Sequence, residues 1–365
     1  MTDGNDRNAA PGPDPDWQNL DSPSLGRRNF LKVGGVGAAA WGGVGAIAGA
    51  LASPAAAQPL PAPPADAAPM LPPPTPYPKL AIITEYAPAK LRFAAQHRYQ
   101  GVVVKVGPAF HPDLPDQQFE AILAAARDAG TRIISIEQMG CNHIDADLSR
   151  RHEAQNRFLR CIEFAHRLGC KFIGTFSGGH DGATAERQAQ ELAEVFNERY
   201  LPVCERLDMS VGWENYPCPV NFATYPEAWN AVFARVPSRR LGMEFDPSHL
   251  VRQYIDPIRA AWDIRHRILA AHAKDTEITE YVLQRVGINQ DGWWRYRIPG
   301  QGLMNWPAFI TVLLQIRFAG GIAVEHEDMF WDGVDTGEEF TQRRQDGFIL
   351  AHRFLSLYLP GWLES

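Results

Sequence analysis

The stretch GMEFDPSHL, residues 242–250, begins as an apolar strand and runs directly into charged and polar side chains. Three ionisable residues, Glu244, Asp246 and His249, fall within six positions of it. A turn with a surface histidine would explain one such cluster alone, because Asp before Pro often accepts backbone N–H groups. The surrounding segments decide whether this cluster has partners.

The chain from residue 79 to residue 365 alternates short apolar runs with longer amphipathic stretches. Such runs predict strands and helices in turn, with helices at, for example, 116–129, 149–168 and 185–206. The predicted strands are LAIITE (80–85), GVVVKVG (101–107), RIISIEQ (132–138), KFIGTFSG (171–178), SVGWEN (210–215), RLGMEFD (240–246), ILAAHAKD (268–275) and GIAVEHED (321–328). Eight strand–helix pairs of this size predict an α/β fold of the (β/α)8 TIM-barrel type. An open doubly wound sheet is the alternative, but TEYAPAK after the first strand lacks its phosphate-binding glycines.

Ionisable side chains gather at the carboxyl ends of the last four predicted strands, which in a barrel form the active-site face. They are Glu214, Asp246, His272 and Glu325, one on each strand. This oxygen and nitrogen set suits one divalent metal ion, with Mn²⁺ favoured and Mg²⁺, Co²⁺ or Zn²⁺ also compatible. Singly, each residue is more often a solvated loop residue, a helix cap or a hydrogen-bonded core group. Their placement on four successive strands favours the metal site.

The first 57 residues have the pattern of a twin-arginine export signal. Arg27 and Arg28 precede an uncharged, glycine-rich stretch at 33–52, and three alanines at 55–57 offer a cleavage site. A membrane anchor is the alternative, but seven glycines make the stretch weakly hydrophobic. We expect passage through the twin-arginine machinery, a periplasmic or secreted location, and no stable membrane span after cleavage.

The Pro- and Ala-rich residues 58–78 predict an extended linker before a catalytic barrel at 79–365. The formal net charge of -7 and the absence of a basic face argue against nucleic acid as a partner. Five cysteines without CxxC spacing argue against a disulfide framework, and Cys161 and Cys170 are expected to be buried hydrophobic residues.

At these residues and in the motifs around them, the chain resembles the sugar phosphate isomerase/epimerase group of the xylose-isomerase-like superfamily. The resemblance covers roughly residues 79–358, and it implies that the four strand-end residues above bind the metal. It also implies that His249 and Arg297 contact substrate oxygens. The matching motifs are WENYP with Glu214, FDPSH with Asp246 and His249, HAKD with His272, RIPGQG followed by NWPAF, and GIAVEHED with Glu325.

The resemblance implies isomerisation or epimerisation of a keto-sugar or related polyol, by proton removal beside a carbonyl. A divalent cation stabilises the resulting enediolate, and Glu214 and Glu325 are the predicted catalytic acid and base. A non-phosphorylated carbohydrate is favoured, such as a 3-keto-glycoside or an inosose, because no phosphate-binding glycine turn follows the seventh strand.

Several further residues are predicted to bind substrate. Trp293 and Trp294 either stack on a sugar face or pack a long loop, and Lys274 either reaches the site or forms an internal ion pair. His180 lies on a glycine-rich loop, and Glu137 ends the third strand and could line the pocket. Unlike ketose epimerases of this fold, the chain has no second glutamate after the fifth strand.

Three other functions remain open on the sequence alone. A lyase or dehydratase would use the same enediolate to expel a leaving group at the β-carbon. DNA repair of the endonuclease IV type shares the fold but uses three zinc ions and more histidines. A non-catalytic sugar-binding barrel would have lost a ligand or an acid/base, and none is missing here. Barrels of this group often pair, so a homodimer is compatible with the sequence.

Overall fold

A closed barrel of eight parallel strands forms the body of the protein, in a computed structural model that describes residues 78–335 and 337–359. Neighbouring strands follow the order β1-β10-β7-β6-β5-β4-β3-β2, which confirms the (β/α)8 prediction. The barrel strands are β1 (Lys79–Glu85), β2 (Gly101–Lys105), β3 (Ile133–Gln138), β4 (Phe172–Thr175), β5 (Ser210–Glu214), β6 (Leu241–Phe245), β7 (Ile268–Ala273) and β10 (Gly321–Val324). The predicted export signal and the linker up to Tyr77 lie outside the described residues.

Helices connect the strands and cover the outside of the barrel. They are α1 (Pro88–Gln96), α2 (Asp116–Ala129), α3 (Leu148–Arg167), α4 (Ala185–Val195), α5 (Leu201–Leu207), α6 (Pro226–Arg235), α7 (Pro247–Arg252), α8 (Pro257–Asp263), α9 (Glu280–Val286), α10 (Trp306–Gln315) and α11 (Gln342–Leu355). Local sequence sets their ends. Asp147 and Thr184 cap the first turns of α3 and α4 with their side chains. Gly130 ends α2 at a φ of 71°, a backbone conformation that residues with a Cβ rarely adopt.

Side-chain alternation along the strands separates two environments. Odd and even positions of a strand point to opposite faces, so on β6 the apolar Leu241, Met243 and Phe245 pack outward against the helices. The intervening Glu244 points into the barrel. At the amino-terminal end of the barrel interior, small apolar residues such as Ala81 and Ala323 fill the space. Charged side chains fill the carboxyl end.

An antiparallel hairpin stands between β7 and β10 and is not part of the barrel. It pairs β8 (Asp275–Ile278) with β9 (Trp294–Arg297). The sequence predicted one strand over 268–275, but β7 ends at Ala273 and Asp275 begins the hairpin. The hairpin brings residues that follow β7 by more than twenty positions back over the barrel mouth.

Two smaller expectations can be compared with the structure. Cys161 and Cys170 are buried and free, as predicted, and the other three cysteines are free as well. Among the described residues, the helices are all too short or too polar to cross a bilayer.

Candidate functional site

The four predicted ligand residues meet at the carboxyl end of the barrel. One ligand atom each from Glu214, Asp246, His272 and Glu325 lies within 4.8 Å of the others, and all four residues are buried. Nδ1 of His272 is the centre of the group. It lies 3.1 Å from Oε1 of Glu214, 3.3 Å from Oε2 of Glu325 and 3.5 Å from Oδ2 of Asp246.

Asp246 has two separate tasks, one for each carboxylate oxygen. Its Oδ1 accepts the backbone N–H of Ser248 at 2.7 Å and thereby caps the start of α7. Asn215 donates to the main-chain carbonyl of Asp246 and accepts its N–H, which fixes the backbone. Oδ2 is buried, has no hydrogen-bond partner among the described residues and faces the cluster. A buried carboxylate oxygen that makes no hydrogen bond fits a metal ligand, and the nitrogens of Lys274 and His249 lie 3.2 Å from it in ion-pair contacts.

Two lysines hold the second glutamate of the cluster. Nζ of Lys274 lies 2.6 Å from Oε2 of Glu325 and 3.2 Å from Oδ2 of Asp246, and Nζ of Lys105 lies 2.9 Å from Oε1 of Glu325. Lys274 also pairs with the half-buried Glu327 at 2.9 Å. The sequence left open whether Lys274 reaches the site, and the structure places its ammonium group among the ligand oxygens.

The neighbouring charges shift the pKa values of the cluster away from their ordinary ranges. Burial alone would raise the pKa of Glu325, but the lysine ammonium groups hold it well below its usual value. Burial is likewise outweighed at Asp246, where His249 and Lys274 lower the pKa of the carboxyl. Burial would lower the pKa of His272, but Glu214 and the other surrounding carboxylates raise it well above its usual value.

Positive groups within the cluster offset much of its negative charge. Three carboxylates, Glu214, Asp246 and Glu325, face the two lysines and the His272 imidazolium. A divalent ion could take the place of the proton on Nδ1 of His272. The donor set and the spacing fit such an ion.

A second pair of carboxylates lies on the other side of the His272 ring. Nε2 of His272 is 3.3 Å from Oε1 of Glu137 and 3.5 Å from Oε1 of Glu244. Both glutamates are 1% exposed, so they can receive little help from solvent. Gly174 on the adjacent strand leaves the space that Glu244 fills, because a Cβ there would collide with Oε2 of Glu244.

His249 stands between the cluster and the hairpin. Its Nε2 lies 3.0 Å from Oε1 of Glu214 and 3.2 Å from Oδ2 of Asp246. Its Nδ1 lies 2.8 Å from the Tyr296 hydroxyl on β9. The sequence predicted a substrate contact for His249, and the structure places it directly beside two of the predicted ligands. Tyr296 had no predicted role, because the hairpin that brings this residue to the site was not predicted.

Three residues that were predicted to bind substrate, Arg297, Trp293 and His180, make contacts away from the cluster. Arg297 was expected to contact substrate, but its guanidinium group is bonded to Glu277, to Asp328 at 2.8 Å and to Gln301 at 2.6 Å. It thus ties the hairpin to the loop after β10. Trp293 is 5% exposed, and its ring stacks on that of Tyr254 with 6.0 Å between the ring centroids. Of the two predicted roles for Trp293, this contact fits packing of the loop.

His180 also lies against a helix and not against the cluster. Its Nε2 is 3.2 Å from Oε2 of Glu191 on α4, and Nδ1 faces the backbone carbonyl of Asp181. Trp294 is half-buried on β9, with the Arg252 guanidinium 3.8 Å above its ring. His326 directly follows Glu325, and because successive side chains of a strand point to opposite faces it points away from the cluster. It packs outward against Phe348 of α11.

Comparison with known proteins agrees with this architecture. The model of the xylose isomerase-like TIM barrel family matches residues 91–344. The chain belongs to that family. A curated relative, the uncharacterized protein YfiH of Bacillus subtilis, is 30% identical over 99 residues, which are 24% of this chain and 32% of that protein. The chain thus matches about a third of the length of this relative.

Two solved enzyme structures share the fold of this family member. The 3-keto-D-glucoside 4-epimerase of E. coli has a TM-score of 0.56 and 14% identity, over 76% of this chain and 99% of that one. The mannonate dehydratase of Streptococcus suis has a TM-score of 0.59 and 15% identity, over 77% and 94%. At these identities the likeness concerns the fold.

Proposed function

We propose that this protein is a divalent-metal-dependent enzyme that removes a proton beside the carbonyl of a non-phosphorylated keto-sugar or related polyol, and so isomerises or epimerises it. The observation that carries the proposal is the cluster of ligand atoms from Glu214, Asp246, His272 and Glu325. The two glutamates of this cluster lie on β5 and at the end of β10, with β6 and β7 between these strands. The epimerase and the dehydratase of the same fold support a carbohydrate substrate.

Glu214, Asp246, His272 and Glu325 would hold the ion. An ion bound there stabilises the negative charge that develops on the substrate oxygens when the carbon loses its proton. Asp246 and His272 are pure ligands in this proposal, since each has its second polar atom directed at the protein and not at the barrel mouth.

Glu214 is the better of the two candidate bases. Both oxygens of Glu325 carry a lysine ammonium group, which weakens that carboxylate as a proton acceptor. Glu214 is held through Oε1 by His249 and His272. Among the described hydrogen bonds none uses its Oε2, which leaves this atom for the substrate proton. Glu325 and its lysines then face the opposite side of the substrate and return a proton there.

The surroundings of the site favour a neutral substrate that carries a ring. Lys105, Lys274 and Arg297 are all paired with carboxylates, so these cations are not free to receive a phosphate group. A chain of ring contacts lines one side of the mouth. The distances between ring centroids are 5.8 Å from Phe176 to Tyr216, 4.9 Å from Tyr216 to His249, 5.3 Å from His249 to Tyr296 and 4.9 Å from Tyr296 to Trp294. Half-buried aromatic faces of this kind suit a glycoside.

A lyase or dehydratase is the second candidate, and Lys274 is the observation that favours it. An elimination needs a proton donor for its leaving group, and the Lys274 ammonium is buried among the ligand oxygens. Surrounding carboxylates raise the pKa of Lys274 well above its usual value even though burial would lower it, so it remains protonated. Both reactions begin with the same proton abstraction, and only the products separate them.

Proton NMR in D₂O tests the proposal. The protein loaded with Mn²⁺ is incubated with free ketoses, inososes and 3-keto-glycosides, and the compounds are analysed after the protein is removed. We expect deuterium beside the carbonyl of at least one compound. Glu325→Gln and Glu214→Gln should each lower its incorporation by about a hundredfold or more.

Glu339→Gln is the matched control, because Glu339 is an exposed glutamate on the loop after β10. An epimer or isomer as product identifies the first candidate, and an eliminated fragment identifies the lyase. No exchange with any compound, in protein shown to hold one metal ion per chain, would contradict the proton abstraction and favour a binding protein.

We also propose export through the twin-arginine route, on the pattern around Arg27 and Arg28. Replacing both arginines by lysine should leave the full chain in the cytoplasm of a bacterial host, while the unchanged chain reaches the periplasm with a shorter amino terminus. Fractionation and mass spectrometry of the mature chain measure both results. Equal periplasmic amounts of the two proteins would contradict this route.

A further inference from the structure

Tyr296 touches the candidate site from outside the barrel. It lies on β9, and its hydroxyl oxygen is 2.8 Å from Nδ1 of His249. His249 is fully buried, and its other ring nitrogen faces Glu214 and Asp246. Every polar atom of the His249 ring is therefore in contact with a group of the protein.

The contacts of His249 determine where its hydrogen lies. An ionised carboxylate can only accept hydrogen bonds, so Nε2 between Glu214 and Asp246 must carry a hydrogen. Nδ1 faces the Tyr296 hydroxyl, which can donate to it. Arg252 donates to the Tyr296 oxygen at 3.4 Å, which leaves the hydroxyl hydrogen available for Nδ1. Burial raises the pKa of Tyr296, so the hydroxyl keeps its hydrogen.

The result is a chain of hydrogen bonds that all run in one direction. Arg252 donates to Tyr296, Tyr296 donates to His249, and His249 donates to Oε1 of Glu214. Each donor holds the next group in one orientation. Glu214 is thus held by one oxygen, and its Oε2 is left free in a fixed direction.

We propose that Tyr296 is a positioning residue that donates to Nδ1 of His249 and so fixes its ring, and that His249, through the hydrogen on Nε2, directs Oε2 of Glu214 at the substrate. The structural part stands by itself, and the catalytic part rests on the proposed function. In that reaction the C–H bond breaks, its proton joins Oε2, and its electron pair moves to the substrate carbonyl oxygen. His249 keeps its hydrogen throughout and acts as a donor.

Nitrogen-15 NMR of the histidine rings tests the structural part without any substrate. The protein is labelled at histidine and loaded with Mg²⁺, since Mn²⁺ would broaden the signals. The His249→Asn variant identifies the signals of His249. We expect a protonated Nε2 and an unprotonated, hydrogen-bonded Nδ1 at neutral pH. In Tyr296→Phe, the Nδ1 signal should shift to that of a nitrogen that accepts no hydrogen bond.

Tyr281→Phe is the matched control, because Tyr281 is exposed on α9, where its hydroxyl accepts from Arg285. It should leave the His249 signals where they are. A wild-type ring protonated on Nδ1, or an unchanged His249 spectrum in Tyr296→Phe, would overturn the proposal whatever the substrate proves to be.

Turnover tests the catalytic part with the compound that exchanges deuterium. Tyr296→Phe should lower kcat about tenfold, with metal content and KM close to wild type, as expected when a group that orients a ligand is lost. A changed KM or lost metal with unchanged kcat would show that Tyr296 only shapes the pocket or the metal site, and would overturn the catalytic part.

Discussion

Burial raises the pKa values of both Glu137 and Glu244, which face Nε2 of His272, and the shift is larger at Glu244. Burial and the neighbouring Glu137 raise the pKa of Glu244 to about 8, so this carboxyl is mostly protonated at pH 7. Glu137 lies nearer to Nε2, at 3.3 Å. It can therefore accept the hydrogen that Nε2 carries once Nδ1 binds a metal, as carboxylates behind metal-bound histidines commonly do.

Glutamine variants of these two residues should thus differ in metal affinity. Glu137→Gln removes the accepting charge, and we expect a roughly 10- to 100-fold weaker affinity for Mn²⁺. Glu244→Gln resembles the protonated acid and should change the affinity much less. Isothermal titration calorimetry with Mn²⁺ measures both, with exposed Glu205→Gln as the control. Equal losses for the two variants would contradict this division of roles.

His143 makes folding stability depend on pH. It is fully buried between Tyr200 and Thr175, and burial lowers its pKa to about 3. The unfolded chain binds a proton there as the pH falls below about 6.5, whereas the folded protein does not until about pH 3. Stability is therefore fully present above pH 6.5 and falls with pH below it, by about 2 kcal/mol between pH 7 and pH 5.

Urea unfolding at several pH values checks this. His143→Gln should be less stable at pH 7 but should lose less stability on going to pH 5. His166→Gln, at an exposed position on α3, should keep the wild-type pH dependence. A wild-type slope in His143→Gln would show that other groups cause the acid sensitivity.

The ligand residues at strand ends were found from the sequence, whereas Glu244, which lies beneath them, was given no role. Glu214, Asp246, His272 and Glu325 end apolar runs, where a change from apolar to charged is visible along the chain. Glu244 lies within such a run, and its place depends on Gly174, a residue on another strand. The alternation rule could have found it, because Glu244 precedes Asp246 by two positions and must share its face.

At the scale of elements, the hairpin is the largest departure from the sequence prediction. The residues HAKD read as the end of a strand, but the chain turns after Ala273 and pairs Asp275 with Arg297. Helix 185–206 was predicted whole, yet residues Phe196–Tyr200 form a π-helical turn between α4 and α5. Pro202 follows that turn, and because it lacks an N–H group it cannot continue the α-helical hydrogen bonds. Strand pairing and the change from an α-helical to a π-helical turn depend on contacts between distant residues. The periodicity of apolar residues along the sequence does not show these contacts.

Asp275 joins the hairpin to the loop before α10, which explains why the motifs HAKD and RIPGQG occur together. Its Oδ1 accepts the N–H groups of Thr276 and Met304, and Oδ2 accepts those of Gly300 and the Trp306 ring. The residue is fully buried. Its role is structural.

Asp275→Asn should therefore destabilise the protein strongly. An amide offers one accepting oxygen and turns its NH₂ group against two of the four donors, which are then left unpaired. We expect a loss of about 3 kcal/mol in the free energy of unfolding, measured by urea denaturation. Asp291→Asn, at an exposed position of the same insertion, should change stability little. A loss below about 1 kcal/mol would mean that water replaces the missing acceptor.

At the scale of the whole molecule, the barrel could be predicted because its signal is repeated eight times. Each strand–helix unit has its own apolar run and its own amphipathic stretch, so an error at one boundary leaves the closure unchanged. Metal identity and substrate depend on a few atoms whose spacing the repeat does not encode. The family match over residues 91–344 spans most of this repeat.

The positive groups of the site have a consequence for the folding of the entire barrel. Because Lys105, Lys274 and His272 offset much of the charge of the three carboxylates, we expect the protein to fold without metal. Metal that binds only the folded state still stabilises it, by about 2.7 kcal/mol at 100 times the dissociation constant. For a domain of this size that raises Tm by roughly 5 °C or more. Binding also releases a proton from His272, so the increase should be larger at pH 8 than at pH 6.

Calorimetry of chelator-treated protein with and without Mn²⁺ measures this increase in Tm. Asp246→Asn removes an anionic ligand and should abolish most of it, while Asp263→Asn, on the exposed end of α8, should keep it in full. An equal increase in both variants would place the bound ion elsewhere on the acidic surface. Metal-free protein that is unfolded at room temperature would show that the lysines do not offset enough of the negative charge of the cluster, and that the barrel requires its ion to fold.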